Sequence, residues 1–127
     1  MEKYKLVIAE DDALLLRSLK NRFVQEGFTV FPAQNGVEAV KFSLENHPDI
    51  ILLDIVMPVM DGLTALKRIR EDEWGKNASI IILTNLSDSD KVAEAISQGV
   101  YDFLIKIDWK LDDLVKKVQS RLKPKNT

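Results

Sequence analysis

Five polar side chains, widely separated in the chain, each stand at or just after the end of a short apolar run. They are Glu10, Asp11, Asp54, Thr84 and Lys106. Runs of this kind predict buried strands of a parallel sheet. The carboxyl ends of parallel strands lie along one edge of the sheet, where ligands bind in open α/β folds. The sequence therefore predicts that three carboxylates, a hydroxyl and an ammonium group meet at that edge.

Such a group of side chains suits phosphoryl transfer. Three crowded carboxylates repel one another and cannot all stay ionised unaided. A hard divalent cation such as Mg²⁺ relieves this repulsion, since it prefers oxygen ligands. The cation and the ammonium group can neutralise charge on the phosphoryl oxygens, while the hydroxyl donates a hydrogen bond to one of them. A carboxylate can itself be the attacking nucleophile, which gives an aspartyl phosphate.

Strand and helix patterns alternate along the chain and predict five strand–helix units. Short apolar runs predict strands at residues 5–9, 28–31, 50–53, 79–83 and 101–105. Apolar residues at helical spacing predict helices at residues 13–26, 36–46, 63–71, 91–98 and 111–122. Because the connections are short and crossovers are right-handed, we expect an α/β fold with helices on both faces of a parallel sheet.

The bulk composition predicts one globular domain over residues 1–127, with residues 123–127 as a tail or the start of a linker. An apolar fraction of 46% and a charged fraction of 30% are ordinary for such a domain. The absence of cysteine excludes disulfides, and a net charge of −2 gives no attraction to nucleic acid or anionic membranes. No apolar run approaches the ~20 residues of a membrane span, and no signal-peptide core is present. We expect a cytoplasmic protein.

The motifs, taken together, resemble the receiver domain of response regulators in two-component signalling. The matching stretches are residues 6–12, 53–62, 81–84 and 99–106. They contain the acid pair, a Met-Pro and an Asp-Gly after the central aspartate, the threonine and the lysine, in the order that the family has. The resemblance implies the flavodoxin-like (βα)5 fold, a doubly wound five-stranded parallel sheet with strand order 2-1-3-4-5.

The resemblance also implies a metal site. By position in the family pattern, Asp11 would bind Mg²⁺, or another hard divalent cation, directly, and Glu10 would bind it directly or through water. Asp54 and the backbone carbonyl of Val56 would complete the protein ligands. Asp12, the third acid of the run, is expected to face solvent or to cap the first helix.

The resemblance further implies a phosphoryl site and a switch. Asp54 would accept the phosphoryl group, and Thr84 and Lys106 would hold its oxygens. Phe103 stands where the family has its rotating switch aromatic, coupled to movement of Thr84. The donor would be a phosphohistidine on a sensor histidine kinase or a histidine phosphotransfer protein, because His47, the only histidine, lies in a turn far from the predicted site.

The resemblance implies a signalling switch that catalyses its own phosphorylation and dephosphorylation but is not a turnover enzyme. Its output would be a downstream protein target or an output domain, without direct binding of nucleic acid or membrane. The chain would be a monomer or a dimer that forms on phosphorylation.

Three departures from the family pattern involve four positions. Ile107 follows Lys106 where the family usually has proline, so we expect a trans bond, since cis before a non-proline residue costs about 2.5–4 kcal/mol. Asn85 replaces a commonly small residue after the threonine. Val56 and Leu86 are apolar where the family controls the access of water to the acyl phosphate, so we expect slow hydrolysis of the phosphorylated form.

Three other functions remain open at this point. A small aspartyl-phosphate phosphatase would usually carry a general acid two residues after its nucleophile, but Val56 occupies that position. A flavin or nucleotide binder would need a phosphate-cradling loop after the first strand, where this chain has acids instead. A degenerate receiver that acts only as an interaction module would not need the complete set of acids, threonine and lysine.

Overall fold

A computed structural model describes residues 3–84, 89–100, 102–106 and 110–124 of the chain. Its strands are β1 (Lys5–Ala9), β2 (Thr29–Ala33), β3 (Ile50–Asp54), β4 (Ile80–Thr84) and β5 (Asp102–Ile105). Its helices are α1 (Ala13–Gln25), α2 (Gly36–Asn46), α3 (Gly62–Glu71), α4 (Ser89–Ser97) and α5 (Leu111–Ser120). All pairings are parallel and the strand order is β2-β1-β3-β4-β5, which confirms the predicted fold.

The sheet is covered on both faces because side chains alternate along each strand. Residues of β1 and β3 that point one way pack with α1 and α5, around the fully buried Leu19 and Phe23. Those that point the other way pack with α2 and α3, around the buried Leu66 and Ile69. The doubly buried β3 therefore lies at the centre of the molecule and fixes the position of Asp54 at its end.

The differences from the predicted elements are small and have local causes. β2 continues through Pro32 to Ala33, which is possible because β2 is an edge strand and proline need not donate a hydrogen bond outward. The predicted loop 72–78 contains a short 3-10 helix, Gly75–Asn77. There the carboxylate of Asp72 accepts hydrogen bonds from the backbone N–H groups of Trp74 and Gly75.

The helix ends are set by residues of the expected types. Asp12 accepts from the N–H groups of Leu14 and Leu15 at 3.0 and 3.1 Å, which confirms that it caps α1. Gly27, with φ 94°, and Gly99, with φ 82°, follow α1 and α4 in the left-handed conformation that glycine tolerates. These glycines end the two helices cleanly and keep the connections to the next strands short.

The lone histidine lies away from the carboxyl edge. His47 ends α2 with φ 47°, and its ring stacks on Trp74 with centroids 4.6 Å apart and planes at 5°. This placement confirms that His47 lies in a turn far from the predicted site.

Some predictions lie outside the described residues. They concern Asn85, Leu86, Ile107 with its peptide bond, residue 101 of the predicted strand 101–105, and residues 125–127 of the predicted tail. Within the part of the chain that is described, no helix combines the length and the apolar character that crossing a bilayer requires.

Candidate functional site

Asp54 is buried at the carboxyl end of β3, with 4% of its surface exposed. The loop that follows it, residues 55–61, returns so that the N–H of Gly62 donates to the carbonyl of Ile55 at 2.7 Å. A Cβ on Gly62 would overlap the carbonyl oxygen of Asp54 and lie 2.9 Å from the Cα of Ile55. Only glycine permits this approach, so Gly62 holds the backbone of the candidate acceptor. The Asp-Gly pair is visible in the sequence, but no local pattern predicts this contact of Gly62 with Asp54.

Lys106 joins two of the predicted carboxylates. Its Nζ lies 2.7 Å from Oε1 of Glu10 and donates to Oδ2 of Asp54 at 3.1 Å. Its backbone N–H donates to the carbonyl of Thr84 at 2.7 Å, which fixes the start of the side chain at the end of β5. The predicted meeting of these side chains at one edge of the sheet is therefore present.

Burial and charge shift the protonation of these groups. Burial first, and then the charge of Glu10, raise the pKa of Asp54 to about 7. Burial also opposes ionisation of Glu10, but Lys106 and the N–H of Asp12 outweigh it and lower the pKa of Glu10. For Lys106, burial is outweighed by the two carboxylates, so its pKa rises. Without a cation, the positive charge of Lys106 therefore has to offset the negative charges of two buried carboxylates, Glu10 and Asp54.

Asp11 lies beside this pair and completes a possible metal site. One carboxylate oxygen from each of Glu10, Asp11 and Asp54 can be chosen so that all lie within 4.8 Å of one another. Burial, followed by the hydrogen bond and charge of Glu10, raises the pKa of Asp11. Oε1 of Glu10 is buried and, besides its ion pair with Lys106, makes no aligned hydrogen bond with the described residues. These three oxygen donors fit a hard divalent cation.

Thr84 and Phe103 lie on the neighbouring strands. Thr84 is buried and follows Leu83, which is the register partner of Asp54. Thr84 pairs with Ile105, and Phe103 precedes Ile105 by two residues, so Thr84 and Phe103 share one face of the sheet. Phe103 is partly buried against the core on the α2–α3 side. The register thus places the predicted switch pair as diagonal neighbours, and the roles assigned to them stay predictions.

Val56 stands in the loop two residues after Asp54, with half of its surface exposed. Its position beside the acid cluster is compatible with the predicted backbone ligand, whose role stays a prediction. The side chain provides no acidic group at this point of the site.

The raised pKa of Asp54 predicts a stability cost in the metal-free protein. In the folded chain the pKa of Asp54 is about 7, above the ordinary value of 3.8, so protonation of Asp54 contributes to the free energy of unfolding. That contribution is complete below about pH 4 and is lost as pH rises through 7. In EDTA at pH 8, we expect Asp54→Asn to increase the free energy of unfolding by about 1–3 kcal/mol. Urea unfolding at pH 8 and pH 5 measures this, and the gain should shrink at pH 5.

A matched variant, Glu45→Gln, removes an exposed acid from α2 at a distance from the site. It should change stability by less than about 0.5 kcal/mol at both pH values. An Asp54→Asn variant that is no more stable than wild type at pH 8 would contradict the repulsion inferred between Asp54 and Glu10.

Comparison with known sequences identifies the family to which this chain is similar. A model described as "Response regulator receiver domain" matches residues 6–119. The chemotaxis protein CheY of Bacillus subtilis is 36% identical over 104 residues, which cover 81% of this chain and 85% of that protein. The regulatory protein AtoC of Escherichia coli is 35% identical over 118 residues, which cover 93% of this chain but 25% of AtoC.

Comparison with solved structures agrees. The crystal structure of the CheX-CheY-BeF3-Mg+2 complex from Borrelia burgdorferi matches with a TM-score of 0.80 and 31% identity, covering 92% of this chain and 87% of that chain. CheY4 of Vibrio cholerae matches with a TM-score of 0.86 and 26% identity, covering 95% of this chain and 100% of that chain. The family match, the relatives and the shared fold lead to one conclusion: this chain belongs to the receiver domain family of response regulators, the proteins of two-component signalling.

Proposed function

We propose that this chain is a phosphoacceptor switch in which Asp54 takes a phosphoryl group from a phosphohistidine on a partner protein. The observation that carries the proposal is the contact of Lys106 with both Asp54 and Glu10 beside a three-carboxylate cluster. A nucleophilic carboxylate, a fixed ammonium group and a set of oxygen ligands for a cation are the parts that phosphoryl transfer to aspartate needs.

The cation we propose is Mg²⁺, held by Glu10, Asp11 and Asp54 with the carbonyl of Val56. When bound, it would favour the ionised form of Asp54 and offset negative charge on the phosphoryl oxygens. In support, the Borrelia burgdorferi relative forms a complex that contains Mg+2 and BeF3.

The transfer itself would use the side chains of this chain as follows. A carboxylate oxygen of Asp54 attacks phosphorus, the bond from phosphorus to the donor imidazole nitrogen breaks, and that nitrogen leaves with the electron pair. Lys106 would exchange part of its contact with Asp54 for a phosphoryl oxygen, and the hydroxyl of Thr84 would donate to another. Both groups lie at strand ends, so little rearrangement is needed before they act.

Signalling would follow from the same contacts. A phosphoryl group that draws Lys106 and Thr84 inward would act on the ends of β4 and β5 and on Phe103, and so bias the surface formed by α4, β5 and α5 between two states. We propose that this surface acts on a downstream protein target or an output domain. The donor would be a sensor histidine kinase or a histidine phosphotransfer protein.

The alternatives receive less support from the site. A turnover phosphatase would need a general acid near Asp54, and the half-exposed Val56 occupies the usual position. A degenerate receiver would not need Lys106 to reach both carboxylates. We therefore propose a switch and not a turnover enzyme.

Uptake of one phosphoryl group from a small donor tests the function. The chain is incubated with acetyl phosphate and millimolar Mg²⁺, and its intact mass is measured over time. We expect the mass of one phosphoryl group to be added with Mg²⁺, and at least about tenfold slower addition when EDTA replaces the cation. No gain of mass under either condition would overturn the proposed function, and equal rates would overturn its dependence on the cation.

A further inference from the structure

Val59 has the least usual backbone conformation in the described chain. Its φ is 68°, in the left-handed region that β-branched residues rarely adopt. The N–H of Met60 donates to the carbonyl of Pro58 at 2.7 Å, so Val59 is the central residue of a three-residue turn. The residue is 83% exposed. Packing against the protein therefore does not explain why valine, and not glycine or asparagine, occupies this turn.

The loop that carries Val59 is held on both sides. The N–H of Gly36 donates to the carbonyl of Met60 at 2.8 Å, and a Cβ on Gly36 would overlap that oxygen. Three residues beyond Val59, the N–H of Gly62 is bonded to the carbonyl of Ile55. These contacts hold the chain on both sides of Val59, so the surrounding fold favours the turn despite the strain of valine at its centre.

The same contacts keep Val59 close to the acceptor. A chain advances at most about 3.6 Å per residue, so the Cα of Val59 lies within about 11 Å of the Cα of Gly62. Gly62 in turn touches the backbone of Asp54. The loop that carries Val59 leaves β3 at its carboxyl end, so Val59 belongs to the rim of the sheet at which a donor must reach Asp54.

Exposed apolar side chains concentrate on this rim. The described chain has six large exposed apolar residues, and four of them follow strand ends at the carboxyl edge: Leu14, Val37, Val56 and Val59. The other two, Val24 and Ile96, lie near the last turns of α1 and α4, at the opposite edge. Among the described residues, four of the six large exposed apolar side chains thus lie at the edge of the sheet that carries Asp54.

We propose that Val59 is a specificity contact for the protein phosphodonor: it presents an apolar side chain, in a strained turn, to the surface that flanks the donor histidine. The inference rests on the proposed function, because a donor that brings its histidine to the 4% exposed Asp54 must cover this rim. The occupant is a phosphohistidine protein with apolar residues beside the histidine. Acetyl phosphate carries no protein surface beside its phosphoryl group, so the two donors separate the roles.

The test compares Val59→Asn and Val59→Leu with Val24→Asn, which changes another exposed valine at the opposite edge. Asparagine tolerates the left-handed conformation, so Val59→Asn should raise the Tm by roughly 2–5 °C. It should leave the rate of uptake from acetyl phosphate unchanged. The protein donor is the autophosphorylated cytoplasmic core of whichever sensor histidine kinase, in a purified panel, transfers fastest to wild type.

We expect transfer from that kinase to slow about tenfold in Val59→Asn, and to stay near the wild-type rate in Val59→Leu and Val24→Asn. An unchanged rate of transfer to Val59→Asn would overturn the inference and leave the phosphoacceptor function standing. Equal slowing with acetyl phosphate and with the kinase would also overturn it, because the effect would then lie in the site itself. Failure of every form to react with acetyl phosphate would instead overturn the proposed function.

Discussion

An Asp54→Asn variant should gain no phosphoryl group from acetyl phosphate and Mg²⁺, whereas the wild-type chain gains one. The carboxylate oxygen that attacks phosphorus is replaced by an amide, which is not a useful nucleophile. The amide keeps the shape of the side chain, and removing the repulsion with Glu10 should keep the variant folded. Intact mass after equal incubation measures the difference, and the loss should be complete within detection.

The matched control for this experiment is Asp12→Asn. Asp12 lies in the same acidic run, but its carboxylate caps α1 and is exposed. Asparagine caps helices as well as aspartate does, so this variant should be phosphorylated at close to the wild-type rate. Stoichiometric phosphorylation of Asp54→Asn would show that the acceptor is another residue.

A Gly62→Ala substitution should destabilise the fold and displace the acceptor at the same time. The added methyl group would overlap the carbonyl oxygen of Asp54 and approach the Cα of Ile55. Both neighbours are backbone of a buried strand and its exit, so they cannot move aside as a flexible side chain would. We expect the free energy of unfolding to fall by about 2–4 kcal/mol. Urea unfolding measures this.

Gly27→Ala provides the comparison, because a methyl group on Gly27 would meet no atom within 4 Å, although the residue has φ 94°. Its cost should be limited to backbone strain, about 1 kcal/mol, with phosphoryl uptake unchanged. Should Gly62→Ala prove no more costly than Gly27→Ala, the close approach to Asp54 would not be the reason for glycine at position 62.

Local sequence patterns predict much of the fold. Four branched aliphatic residues before Asp54 suffice to predict a doubly buried strand. The turn glycines and the capping acids predict where most helices begin and end to within a few residues. The parallel order of five strands follows because short connections and a fixed crossover hand leave few arrangements. The meeting of Glu10, Asp54 and Lys106 at one edge follows in turn, since all three stand at strand ends. The 3-10 helix at Gly75–Asn77 escaped prediction because a polar segment with a glycine also suits an irregular loop.

Local patterns establish which side chains stand at strand ends and so reach the carboxyl edge of the sheet. How those side chains act on one another there depends on the packing of the whole chain. The position of Nζ of Lys106 between two acids, the pKa of about 7 at Asp54 and the contact of Gly62 with Asp54 depend on atoms far apart in the chain. Likewise, the exposure of Val59 and its left-handed backbone arise from bonds that join its loop to α2 and to the exit of β3. Periodicity reports which face of an element is buried, but distances and burial at a site depend on how the elements pack.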